Sequence, residues 1–203
     1  MEQQFQYYAF ISYKREDEKW AKWLQDRLRW YKLPSKLCRQ ITRLPKKVWP
    51  VFRDNTDLDS GRLEENIRHE LERSHYLIVI CSPEAARSPW VGKEVKYFAT
   101  LHGADKIIPF VVSGIPYSND IETECIHEQI KAISQEELLA INVREEGIGS
   151  FAMKKKRAFI RVVARLLDIK FNTLWQPYER ILRIRKWSTG IGVVLFLFVL
   201  FIL

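Results

Sequence analysis

The chain has 203 residues, of which 47% are apolar, 13% aromatic and 29% charged, enough for one domain with a sizeable core, too apolar for a disordered chain and too charged for a polytopic membrane protein. The net charge of +8 is unevenly placed: 12 Lys/Arg against 5 Asp/Glu over residues 1–50, 10 against 18 over 51–153, and 11 against 2 over 154–203. Three cysteines (Cys38, Cys81, Cys125) with no Cys-x-x-Cys pair argue against a disulfide framework or a zinc knuckle and fit a reducing compartment.

The opening Met1-Glu-Gln-Gln-Phe5 is polar and lacks the basic start and apolar run of a signal peptide. Tyr7-Tyr-Ala-Phe-Ile-Ser12 reads as a strand buried on both faces. From Glu16 to Tyr31, apolar residues at Trp20, Trp23, Leu24, Leu28 and Tyr31 recur at offsets of three and four and mark one face of a helix. Val48 to Phe52 is a second strand, short or at an edge because of Pro50. Leu63, Ile67 and Leu71 mark a second helix. Tyr76 to Cys81 is the plainest strand in the chain. Ser88 caps a helix that begins at Pro89 and reaches about Leu101. Lys106 to Val112 is a fourth strand, and 117–134 is polar and irregular with helix near its end. Leu138 to Val143 is a weaker fifth strand, and Met153 to Leu167 closes the set as an amphipathic helix. Strand and helix thus alternate through residues 1–168, which predicts an open parallel sheet with helices on both faces.

Residues 169–186 form a basic segment, with Arg180, Arg183, Arg185 and Lys186 directly before 17 uncharged residues, Trp187 to Leu203. A helix of that length spans about 26 Å, close to a hydrocarbon core of about 30 Å. The segment 187–203 is therefore expected to be a single transmembrane helix, with the basic flank holding the N-terminal domain on the cytoplasmic side. Next to such a span the basic run 154–186 is expected to attract anionic membrane lipid rather than nucleic acid.

In parallel sheets of this kind ligands bind beyond the carboxyl ends of the strands. After the first strand comes Ser12-Tyr-Lys-Arg-Glu-Asp17, with no glycine, so a dinucleotide fold of the Gly-x-Gly-x-x-Gly type is excluded, and no Gly-Lys-Ser/Thr phosphate loop occurs anywhere. Lys14 and Arg15 are either solvated turn residues or side-chain partners for phosphate. After the second strand, Arg53 to Gly61 is a polar loop whose Asp54 and neighbours suit a turn. After the third strand, Trp90 and Glu94 stand four apart on one helix face. Glu94 is either a surface carboxylate paired with Lys93 or Arg87, or a carboxylate desolvated beside an indole and poised to meet a cation. A phosphoacceptor receiver domain is set aside, because Cys81-Ser82 stands where an aspartate would be needed.

Phe10-Ile-Ser-Tyr13, then Phe52 with Asp54 and Gly61, then Ser82-x5-Ser88-Pro-Trp90-x3-Glu94 resemble, in that order and spacing, a Toll/interleukin-1 receptor (TIR) domain over about residues 5–168. The resemblance implies a flavodoxin-like α/β fold with a five-stranded parallel sheet. It also implies an NAD-cleaving enzyme of the bacterial type, with NAD as substrate and no cofactor. Glu94 then falls on the family's catalytic glutamate, and Ser12, Lys14, Arg15, Arg53, Asp54, Ser88 and Trp90 are the expected substrate-binding residues. Trp90 would form an apolar wall, and Lys14 and Arg15 would suit the diphosphate. The loop 53–60 corresponds to one that packs against a neighbouring subunit in the family, which implies TIR–TIR self-association. Release of nicotinamide and of ADP-ribose, or of a cyclic or conjugated form of it, in prokaryotic antiphage signalling is the function implied. A non-catalytic membrane-anchored TIR scaffold is the alternative.

Overall fold

A computed structural model describes residues 5–41, 44–53, 61–133, 140–144, 147, 149–176 and 179. Its strands are β1 (Tyr7–Ser12), β2 (Val51–Arg53), β3 (Ser74–Cys81), β4 (Ile107–Val111) and β5 (Ile141–Asn142). Its helices are α1 (Glu18–Trp30), α2 (Ser35–Gln40), α3 (Gly61–Glu72), α4 (Pro83–Ala86), α5 (Pro89–His102), α6 (Glu128–Ile133) and α7 (Phe151–Leu166). All five strands run parallel in the order β2-β1-β3-β4-β5. This is the flavodoxin-like strand order with its switch point beside β1, and it agrees with the fold expected from the sequence.

Alternation along the strands divides the core in two. Ala9, Ile11, Ile78, Ile80, Ile108 and Phe110 pack with Leu24 and Leu28 of α1, Leu37 of α2 and Val162 and Val163 of α7. Phe10, Leu77, Val79, Cys81 and Val111 pack on the opposite face with Ile67 and Leu71 of α3, Val95 and Phe98 of α5 and Ile130 of α6. One proline lies beside a strand and one within a strand. Pro50 stands just before β2 at the sheet edge, and its carbonyl accepts from Tyr8 N–H at 2.8 Å. Pro109 lies opposite Val79 of β3, and among the described residues β4 pairs with β5 at Phe110 and Val111, beyond the proline.

The C-terminal end of the domain differs from the boundary drawn at 168. Residues 171–176 are helical, and Leu174 and Trp175 are buried in the same cluster as α1 and α7. The first part of the basic segment 169–186 thus packs against the domain through Leu174 and Trp175. No helix among the described residues is long and apolar enough to cross a membrane. The expected span 187–203 lies outside the described residues, as do Asp54 and most of its loop.

The fold disfavours the protonated form of three histidines. Burial lowers the pKa of His75, which stacks on Phe5 at 4.7 Å, of His102, which meets Phe5 edge-on at 5.4 Å, and of His127 just before α6. In the unfolded chain each regains its ordinary value near 6.5 and takes up a proton as the pH falls through it, while the folded form takes one up only at lower pH. Stability is therefore expected to drop as the pH is lowered from 7.5 to 5.5, read as a fall in the urea midpoint. Equal midpoints at the two pH values would contradict the assignment.

Candidate active site

The site is built where β1 ends and α5 begins. Ser12, the last residue of β1, is buried, and its hydroxyl donates to Glu94 Oε2 at 2.5 Å. Glu94 is only 5% exposed, which removes the reading of it as a surface carboxylate. Arg87, one candidate partner, pairs instead with Glu122 at 3.5 Å, and Lys93 lies over the Trp90 ring at 5.6 Å. The helix that carries Glu94 starts where the sequence places it. Ser88 Oγ accepts from Val91 N–H at 3.4 Å, and Pro89 fills the first turn, where its missing N–H matters least. One helical turn then sets Trp90 and Glu94 on a shared wall.

That wall belongs to a cavity of about 310 Å³ between α3 and α5, lined by Ile67, Leu71, Trp90, Glu94 and Tyr97 with Arg68 and Lys93 beside them. Its apolar walls with a few charged groups match the usual composition of a small-molecule site. A larger groove of about 670 Å³ lies on the other side of Lys93 and Lys96, along α5 and α6. Of its two acids, Glu128 is exposed and Glu124 is already employed, pairing with Lys131 and accepting from Ile126 N–H at 2.7 Å. There His127 packs on Gly92, where an added Cβ would meet the imidazole at 2.5 Å. The smaller cavity is the candidate because it contains the buried acid. Among the described residues no group of three or more His, Cys, Asp or Glu is placed to hold a metal ion.

The other expected residues are distributed unequally around this centre. Lys14 is half-buried and Arg15 exposed, at the 3-10 turn Arg15–Asp17 that leads into α1, and neither lines the cavity. Arg53 has a guanidinium with three partners: Gln25 Oε1 at 3.1 Å, the Tyr13 hydroxyl at 3.0 Å and Glu18 Oε1 at 3.3 Å. Its place in the structure is a clamp holding β2 against α1. Ser88 is the cap of α5 and buried. Ser88→Ala is expected to lower stability by about 1 kcal/mol, read as a shift in the denaturation midpoint; an unchanged midpoint would show that the cap contributes nothing.

A second buried acid escaped the sequence reading. Asp17 accepts from Ser82 Oγ at 2.5 Å, joining the turn after β1 to the turn after β3. Burial raises its pKa, the Ser82 bond works the other way, and Glu84 and Glu16 add repulsion. In the sequence it is one of three consecutive acids, and only the partner 65 residues away distinguishes it. Ser82 also caps α4, accepting from Ala85 N–H at 3.1 Å.

With the fold and this geometry in place, the similarity to known proteins is specific. The sequence model of a family described as TIR domain matches residues 9–146. The chain belongs to the TIR domain family. Over 110 residues it is 36% identical to a protein of Actinoplanes sp. named NAD(+) hydrolase ApTIR, a stretch covering 53% of this chain and 14% of that protein. The chain thus spans about one seventh of the length of this relative. Among solved structures, the TIR domains of the activated Roq1 resistosome recognising the pathogen effector XopQ superpose with a TM-score of 0.51 at 14% identity. The match covers 76% of this chain and 98% of that one. At that identity the likeness concerns the fold alone, and the TIR sheet and helices are what the two share.

Proposed function

We propose that this TIR domain cleaves NAD at the bond between nicotinamide and ribose. The observation that carries the reading is Glu94, a carboxylate buried at the strand ends, held by Ser12 and lining a cavity with Trp90. The 36% identity to a protein named NAD(+) hydrolase supports it. The C1′–N bond breaks with both electrons going to the pyridinium nitrogen, so nicotinamide leaves neutral and positive charge develops on the ribose. A fixed carboxylate at the ribose face stabilises that charge, and its worth is greatest where water is excluded. The leaving group needs no proton, so one carboxylate suffices where ordinary glycosidases use two. Water or another nucleophile then adds at C1′ and gives up its proton, yielding ADP-ribose or a conjugated or cyclic form.

The finer reading is a membrane-anchored member of this class, held by the apolar segment 187–203 with the domain on the cytoplasmic side. It self-associates through TIR–TIR contacts and serves prokaryotic antiphage signalling. A non-catalytic scaffold is the competing reading, and one observation favours it: Glu94 Oε2 is already bound by Ser12. The full chain incubated with NAD decides between them. Nicotinamide release, followed by chromatography, supports the enzyme, and its absence across a range of protein concentrations that spans assembly supports the scaffold.

A further inference from the structure

The uneven charge of the sequence becomes a two-sided molecule when folded. Helices α1, α2 and α7 cover one face of the sheet and carry twelve Lys/Arg against two acids, Glu18 and Asp26; of the twelve, Arg157 and Arg161 lie over the Trp175 and Phe171 rings, and the other ten make the basic face. Helices α3, α5 and α6 cover the other face and carry five Lys/Arg against six acids. The basic ends of the chain, far apart in sequence, are therefore neighbours. Lys155 of α7 lies over the rings of Trp20 and Trp23 of α1 at 4.3 and 4.2 Å. Burial there, with Arg27 close by, depresses its pKa. Glu18, one of the two acids, is paired with Arg53.

Two aromatic side chains are exposed among these bases: Trp30 at the end of α1, 73% exposed, and Phe151 at the start of α7, 53% exposed. Exposed rings set among Lys and Arg suit the boundary between lipid headgroups and acyl chains, where an amphipathic ring is favoured. The chain also leaves the domain on this side. Glu179 stands 3.8 Å from Arg157 of α7 and accepts from Trp175 Nε1 at 2.6 Å, and Arg180, Arg183, Arg185 and Lys186 follow in sequence.

We propose that the α1–α7 face is a docking surface for an anionic lipid bilayer, which leaves the α3–α5 face and its cavity turned away from the membrane and open to the cytosol. The attraction is between Lys and Arg on the helices and acidic headgroups, with Trp30 and Phe151 entering the interface. It does not require residues 187–203 to span the bilayer, and it is independent of the NAD chemistry. Nucleic acid is the weaker occupant, because flat exposed rings at the rim and a chain leaving toward an apolar segment are features a bilayer uses and a duplex does not.

The test is lysine footprinting of the full chain with a water-soluble acylating reagent, read by mass spectrometry. It is run with vesicles of phosphatidylcholine alone or mixed with phosphatidylserine, alongside flotation of the vesicles. Lys19, Lys22 and Lys36 are exposed on the basic face, and Lys93 and Lys96 on the other. Phosphatidylserine is expected to protect the first set about threefold or more and leave the second unchanged. Protection should be lost in 1 M salt, where the screening length is about 3 Å. Equal labelling of the two sets overturns the proposal, and if the chain also floats with both kinds of vesicle, the 187–203 span survives without the docking face. Flotation and protection with phosphatidylserine vesicles alone support the face and remove the span. Protection by duplex DNA but not by phosphatidylserine overturns the proposal in favour of nucleic acid.

Discussion

Glu94→Gln is expected to cut nicotinamide release from NAD by about 10³-fold or to background while leaving the fold intact. The two parts of that expectation have separate physical grounds. Glutamine keeps the volume of the side chain, and its carbonyl oxygen can still accept from Ser12, so the buried hydroxyl keeps its partner. What disappears is the full negative charge facing the ribose, and with it the stabilisation that grows as the sugar turns cationic. The loss should therefore appear in kcat more than in KM, because the interaction strengthens between the bound substrate and the transition state. Turnover near that of the parent chain, with an unchanged circular dichroism spectrum, would remove Glu94 from the chemistry and leave the scaffold reading.

Where the sequence was legible, a local physical rule and the tertiary structure agreed. β1 runs from Tyr7 to Ser12 as its apolar run predicts, and β3 needed only the addition of Ser74 and His75. The cap and first-turn proline of α5 placed Trp90 and Glu94 on one wall before any fold was known. Where it was not legible, the determining partner was distant or the element too short to show a period. α2 has six residues and α4 four. Arg53, expected among the substrate-binding residues, is held by Gln25 and Tyr13, a placement that depends on where α1 crosses the end of β2. The burial of Asp17 likewise depends on Ser82.

The same limit explains the C-terminal boundary, and it yields the largest stability effect. Trp175→Ala is expected to destabilise the domain by about 3–5 kcal/mol, the range for removing a large aromatic side chain from a core. Residues 169–186 read as a basic segment before the expected span because Lys170 and four later bases dominate their composition. In the fold, Trp175 is only 3% exposed and sits in the main cluster with α1 and α7. It stacks with Phe171 at 5.7 Å, and the Arg157 guanidinium lies 4.8 Å from its ring. Arg161 covers Phe171 at 4.7 Å. Thus two of the bases that make α7 look like a charged surface cover the aromatic side chains of the segment that follows it. This arrangement uses long apolar stems and flat cations together. A composition-based reading counts the charges and misses the rings beneath them. Urea denaturation of the full chain measures the effect directly. A change under about 1 kcal/mol, within the range of ordinary surface substitutions, would show that the segment is a linker after all and that the domain closes at α7. A large loss would fix the exit of the chain against α7, on the basic side of the sheet, and so leave only a short stretch between the packed core and Trp187.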